Sequence, residues 1–320
     1  MRRWPAMPAR KDAMLPSLFS VSYAGLWGQH SLDPERFIEK AASLGYAGVQ
    51  LMGKRPHLSV LDADETLLGR LRQASRRHGV RIASVAGYTD FTAGAQTPEV
   101  PLVEMQLAYV KRLAQCARAL GASFVRVFTG YATDALSASG DWNTCVRAVR
   151  EAAEICRAEG VVLGVQNHHD TAVATDSFAE FLNEVGHPNC RAVFDPWAPA
   201  LHGEDLRRAA ALLAPLMVQT TLADYVRLPR WRYLPGLVNY ERMPDMMRAV
   251  PLGQGCVDLQ GFFAGLRDGG FDGIVCYEMC SPLRGGGSEE NLDACAKESL
   301  RVITNLIGAS SGNDAGHARS

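Results

Sequence analysis

A closed (β/α)8 (TIM) barrel is the fold class this sequence predicts. Eight short apolar, β-branched-rich runs alternate with amphipathic helical stretches, a grammar that implies parallel strand pairing. Glycines fall where the intervening helices should stop. The 320 residues suit eight such units in one domain. The rival architecture, an open doubly wound sheet, lacks its main signal, because no G-x-G-x-x-G follows the first run.

The runs are 18–23, 47–52, 81–86, 123–129, 161–168, 191–195, 217–223 and 273–279. Helical stretches between them include 34–44, 103–120, 142–159 and 177–185. The first opens on Asp33-Pro34, a cap followed by Pro at the first helical position, and Phe37, Ala41 and Leu44 share one of its faces. Gly45, Gly79, Gly121, Gly160 and Gly186 mark helix ends. The gap before the eighth run is the longest. Residues 225–255 therefore read as a loop insertion after the seventh strand, carrying Arg227, Arg230, Arg232 and Arg242 among aromatic residues. A lid over the barrel mouth, or a wall supplied to a neighbouring subunit, is the expectation for it, with a homo-oligomer or partner subunit as its setting. Residues 1–16 read as an N-terminal extension, 17–307 as the barrel and 308–320 as a flexible tail.

Hydrophobic residues make up 47% and charged residues 21%, which excludes wholesale disorder. With 33 basic and 34 acidic residues there is no basic surplus to displace counterions, so no nucleic-acid partner is expected. No apolar run reaches the ~18 residues of a membrane helix, so no membrane partner is expected. The eight cysteines form no CxxC pair and read as buried reduced thiols, which points to a cytoplasmic protein.

Barrel sites are built where strands end at their C-terminal side. The fifth run ends in Gln166-Asn167-His168-His169 and the sixth in Asp195-Pro196-Trp197. The seventh holds Gln219 and leads to Asp224, and the eighth ends in Tyr277-Glu278. Singly, each has a plain reading. Asp195 caps a turn, Glu278 pairs with Arg126 or Arg284, and Gln166 and Gln219 serve as hydrogen-bond hubs. Together, four consecutive strands offering oxygen donors from apolar runs point to a metal site, since such carboxylates are costly unless paired or on a metal. His168, two residues after Gln166, faces the same way on an extended strand, while His169 faces the wall. Histidine has the pKa range for acid–base work. Tyr88 and Trp197 offer apolar faces to a ring. The segment 281–290, with Arg284 and its glycines, offers donors to anions or hydroxyls.

These segments carry a resemblance. Gly87-Tyr-Thr-Asp-Phe91, Gln166-Asn-His-His169, Phe194-Asp195, Gln219 with Asp224, and Tyr277-Glu278 resemble, in their order along 16–308, the sugar phosphate isomerase/epimerase family with the xylose isomerase-like barrel. That family includes ketose 3-epimerases and dehydratases. The resemblance implies a ligand set of Gln166, Asp195, Gln219 and Glu278. It also implies that Glu278 is a catalytic base. The family's Glu on the fifth strand is Gln166 here, which removes one of its two acid–base groups. His168 is the candidate second group. His169, Tyr88, Trp197, Asp224, Arg227 and Arg284 are the expected substrate-binding residues. Two carboxylates and two amide oxygens favour Mn²⁺ or Mg²⁺ over Zn²⁺, with Co²⁺ compatible. The expected activity is that of a divalent-metal isomerase or epimerase taking a proton beside the carbonyl of a sugar or keto-sugar. A metal-dependent lyase or dehydratase on oxidised sugars is the alternative reaction. A non-catalytic sugar-binding subunit is the alternative class, since Gln for Glu is how such a site would decay. A metal-dependent endonuclease is disfavoured by the lack of extra His ligands and of a basic face.

Overall fold

Alternation of fully buried strands with capped amphipathic helices closes the chain on itself. The structure, a computed structural model, describes residues 14–308. In chain order the elements are β1 (Leu15–Phe19), α1 (Pro34–Leu44), β2 (Gly48–Met52), α2 (Glu65–His78), β3 (Arg81–Ala86), α3 (Leu102–Leu120), β4 (Phe124–Val127) and α4 (Ala138–Ala158). There follow β5 (Val162–Gln166), α5 (Thr175–Val185), β6 (Cys190–Phe194), α6 (Trp197–Leu201), α7 (Leu206–Leu213) and β7 (Met217–Leu222). Next come β8 (Asp224–Leu234), β9 (Asn239–Val250), α8 (Leu259–Asp268), β10 (Ile274–Tyr277) and α9 (Glu289–Gly308). Eight strands form a closed parallel barrel in the order β1-β10-β7-β6-β5-β4-β3-β2. The expected (β/α)8 fold is therefore the observed one.

Local chemistry sets the boundaries. Asp33 Oδ1 accepts the amides of Glu35 and Arg36 at 3.0 and 2.9 Å, opening α1. Gly45 closes it at φ 93°, a left-handed cap that a side chain would strain. Apolar side chains fill two layers. One lies between strands and helices, around Phe37, Phe178, Phe194 and Phe262. The other lies inside the barrel, with Phe19, Met52, Ala86, Phe124, Ile274 and Cys276. Among the described residues, no helix is long and apolar enough to cross a membrane. No disulfide links the eight cysteines, most of which are buried.

Two boundaries differ from expectation. The first strand starts at Leu15, inside the expected extension, and ends at Phe19. Residues 20–23 turn as a 3₁₀ segment instead. There the Ser20 hydroxyl accepts the Met52 amide at 2.8 Å and Ser22 accepts the Met279 amide at 2.9 Å, so these serines finish neighbouring strands. Residues 1–13 and 309–320, most of the expected extension and tail, lie outside the described residues.

The second difference is larger. The expected loop over 225–255 is a two-stranded antiparallel ribbon, β8 with β9. Its ladder runs from Asp224↔Val250 to Leu234↔Asn239 and shifts register between Leu228 and Arg230, where Pro229 has no amide to give. Beyond Val226 its strand β8 is almost wholly exposed.

Candidate functional site

Three strand ends bring polar side chains to the barrel mouth. Gln166 is the last residue of β5, Asp195 follows β6, and Glu278 follows β10. All three are buried. Gln166 Nε2 donates to Asp195 Oδ2 at 3.3 Å, and Asp195 Oδ1 accepts the Trp197 amide at 2.9 Å. Asn167, absent from the expected set, fixes this corner. Its side chain accepts the Asp195 amide at 2.7 Å and donates to the Asp195 carbonyl at 2.9 Å. Glu278 Oε1 accepts the Cys280 thiol at 3.2 Å, and Cys280 meets the Tyr225 hydroxyl at 3.2 Å.

The electrostatics follow from this crowding. Burial raises the Asp195 carboxyl from 3.8 to about 6. Burial, then the charge of Asp195, raises Glu278 from 4.5 to about 7. Neither carboxylate has an ion-pair partner among the described residues, so the suggested Glu278 pairing with Arg126 or Arg284 is not formed. Two buried carboxylates repelling each other beside an amide oxygen suit a hard divalent cation. Asp195, Glu278 and Gln166 are the residues that would hold it. Among the described residues no group of three or more His, Cys, Asp or Glu is placed to hold a metal ion.

Gln219, also expected as a ligand, makes no hydrogen bond to Gln166, Asp195 or Glu278. It pairs in register with Ile274 on one side and, on the other, with Val193, the residue that pairs with Gln166. Its side chain is fully buried. Nε2 donates to Gln50 and Thr221, and Oε1 accepts from Ser84. It is the hydrogen-bond hub of the plainer reading.

The two histidines also sit differently from an extended strand. β5 ends at Gln166, and the His168 amide bonds the Gln166 carbonyl at 2.8 Å. His169 then takes φ 69°, bringing both rings to the mouth. His168 Nδ1 accepts the His169 amide at 2.7 Å, so its neutral form carries the proton on Nε2. Desolvation in the recess, then His169 and Arg126, lower His168 to about 4. The neutral ring therefore presents an Nε2–H donor, while its Nδ1 is taken by the His169 amide. His169 Nε2 faces the Thr89 carbonyl at 3.2 Å, and its ring stacks on Tyr131 at 4.0 Å.

The remaining expected residues divide. Tyr88 is half-buried beside Arg126, and Trp197 packs on Tyr225 with ring centroids 4.1 Å apart. Asp224 is not free for substrate: four backbone amides occupy its carboxylate. Arg227 is exposed on β8, and Arg284 is exposed beside the ribbon's foot, with its amide on the Ala249 carbonyl. Neither reaches the carboxylates. The ribbon stands with Trp231 58% exposed, beyond the mouth. Replacing 227–242 by a short Gly/Ser linker is expected to raise the Michaelis constant about tenfold while divalent-metal affinity stays unchanged. Steady-state kinetics with metal titration check this, and unaltered kinetics would leave the ribbon no part in the site.

Solved structures share this architecture at low identity. The chain aligns with a D-psicose 3-epimerase with D-tagatose from Clostridium cellulolyticum H10 at TM-score 0.71 and 15% identity, covering 92% of this chain and 99% of that one. It aligns with a probable 3-DHS dehydratase from Bacillus anthracis at 0.69 and 18%, covering 91% and 99%. A xylose isomerase-like TIM barrel/4-hydroxyphenylpyruvate dioxygenase fusion protein aligns at 0.68 and 20%, over 93% of this chain but only 43% of that one. Two more barrels, at TM-scores 0.63 and 0.71, were solved with magnesium, in a Mycobacterium smegmatis protein, and with zinc. No curated protein matches the sequence. A family model described as "Xylose isomerase-like TIM barrel" matches residues 38–306, and the chain belongs to that family.

Proposed function

We propose that this chain is a divalent-metal-dependent enzyme that removes a proton beside the carbonyl of a sugar or keto-sugar, using one base. The observation that carries this reading is the buried carboxylate pair Asp195 and Glu278, just after β6 and β10, with an amide, Gln166, bonded to Asp195 where a second acid–base carboxylate would be needed. A bound cation would polarise the substrate's oxygens. Glu278, a buried carboxylate with no ion-pair partner among the described residues, is the group to take a carbon-bound proton. Gln166 cannot return a proton on the opposite face, which disfavours a two-base epimerase. Glu278 itself either hands the proton to the neighbouring carbon, giving an isomer, or holds it while a β-substituent leaves. The His168 Nε2–H suits a hydrogen bond to a substrate oxygen. The fold likenesses to an epimerase and to a probable dehydratase fit both outcomes.

The test is solvent-deuterium incorporation read by mass spectrometry, with Mg²⁺ or Mn²⁺, over ketoses and 3-keto-glycosides. Metal-dependent incorporation at one carbon is the expected result, and none with any of them would sink the reading. Gln166→Glu is expected to tighten Mn²⁺ about tenfold, because it adds a third carboxylate, and to slow turnover by weakening the cation's pull on the carbonyl. Calorimetry and initial rates check it. Unchanged metal affinity would remove residue 166 from the cation site.

A further inference from the structure

Two cations at the mouth have no assigned task. Arg126, on β4, is 2% exposed, and its Nε and Nη1 have no hydrogen-bond partner. Its guanidinium lies over Phe128 at 3.9 Å, Tyr88 at 5.0 Å and Phe19 at 5.5 Å. Lys54, half-buried in the segment after β2, places Nζ 3.8 Å above the same Tyr88 ring. The Tyr88 hydroxyl also lacks a partner. Neither cation forms an ion pair among the described residues. Burial, then the charge of Arg126, lowers the Lys54 ammonium below its usual value, so these two positive groups feel each other.

Ring faces soften the cost of a buried guanidinium but do not occupy its N–H groups. What converges here is therefore rich in donors: two guanidinium N–H sites, an ammonium and a phenol O–H. Such a set is complementary to an anion. Asp195 and Glu278 sense Arg126 electrostatically but hydrogen-bond elsewhere, so the negative and positive groups of the mouth stay apart. A ligand with a reacting polyol at one end and an acidic group at the other would satisfy both.

We propose that Lys54 and Arg126 form an anion subsite, so that the substrate carries a carboxylate or phosphate held on the β2–β4 side of the mouth. Arg126 supplies fixed charge from inside the barrel, and Lys54 closes on the anion from the rim. The location of the reacting carbon, toward Glu278, rests on the function proposed above; the anion subsite itself does not.

The test is calorimetry on the full chain, freed of metal by chelation, with three probes on one ring: D-glucose, D-glucuronate and D-glucose 6-phosphate. At least one anionic sugar should bind about tenfold or more tighter than glucose, and the tighter of the two names the acidic group. Lys54→Met should erase most of that preference and leave glucose binding within about twofold, while Lys54→Arg retains it. Arg126→Met should do the same if it folds, as circular dichroism will tell; Lys54, at the rim, decides the matter either way. Anions that bind no better than glucose, or a preference that survives Lys54→Met, overturn the subsite. Deuterium incorporation into neutral sugars without any anion preference removes the subsite and leaves the proton-abstraction reading standing. Anion preference without incorporation does the reverse.

Discussion

Glu278→Gln will give a folded barrel whose deuterium incorporation falls by about 10³-fold or more. The amide keeps the size of the side chain and the oxygen that accepts the Cys280 thiol, but it cannot take a proton. The same substitution will raise thermal stability in chelator-treated protein at alkaline pH. The folded state holds the Glu278 proton more tightly than the unfolded chain, because burial and then Asp195 lift the carboxyl from 4.5 to about 7. Ionisation therefore works against folding. The penalty is absent below about pH 4.5, grows as pH rises, and is complete above about 7, where it is on the order of 3 kcal/mol. At about pH 8 the variant should unfold several degrees above the parent, and at about pH 4 the two should coincide. A variant that keeps wild-type exchange has a different base, and a variant less stable at about pH 8 has a Glu278 that is not electrostatically strained.

What could be read from the sequence follows from what packs. Barrel strands are buried on both faces, so they appear as unbroken apolar runs, and most boundaries lie within one or two residues of those read from the chain. The helices announce themselves through Asp33-Pro34 and the closing glycines because caps are local chemistry. The ribbon was illegible as strand for the opposite reason. It packs on little, so no alternation of apolar and polar residues records its pairing, and Pro229 interrupts the ladder. Asp195 and Glu278 were readable because a carboxylate closing an apolar run is costly anywhere else. Hydrogen-bond partners were not readable. Gln219 is fully buried, and only the structure shows that its side chain bonds Gln50, Thr221 and Ser84. Arg126 carried a usable signal, a charge inside the apolar run Phe124-Val125-Arg126-Val127, and pairing with Glu278 was one plain reading of it. Lys54 carried none, since a single lysine after Gly53 looks like any surface residue.

Asp224→Ala will cost stability rather than substrate affinity, by about 3–5 kcal/mol. The residue opens β8 at the ribbon's foot and is 1% exposed. Oδ1 accepts the amides of Tyr225 and Val257 at 2.9 and 3.1 Å, and Oδ2 those of Gly253 and Gly255 at 2.9 Å each. One carboxylate thus ties the outgoing strand to the chain returning after β9. Gly255 is required for this, because a Cβ there would collide with Asp224 Oδ1. Alanine leaves four amides without their acceptor; those of buried Tyr225 and Val257 lose a charge-assisted bond with no replacement, while exposed Gly253 and Gly255 can turn to water. Asparagine restores one acceptor but turns an NH₂ toward amide donors, so it should recover less than half of the loss. The sequence alone suggests a different outcome, an acid at the mouth whose removal raises the Michaelis constant at constant melting temperature. Thermal unfolding beside steady-state kinetics separates the two. A melting temperature unchanged by Asp224→Ala would return this residue to the substrate.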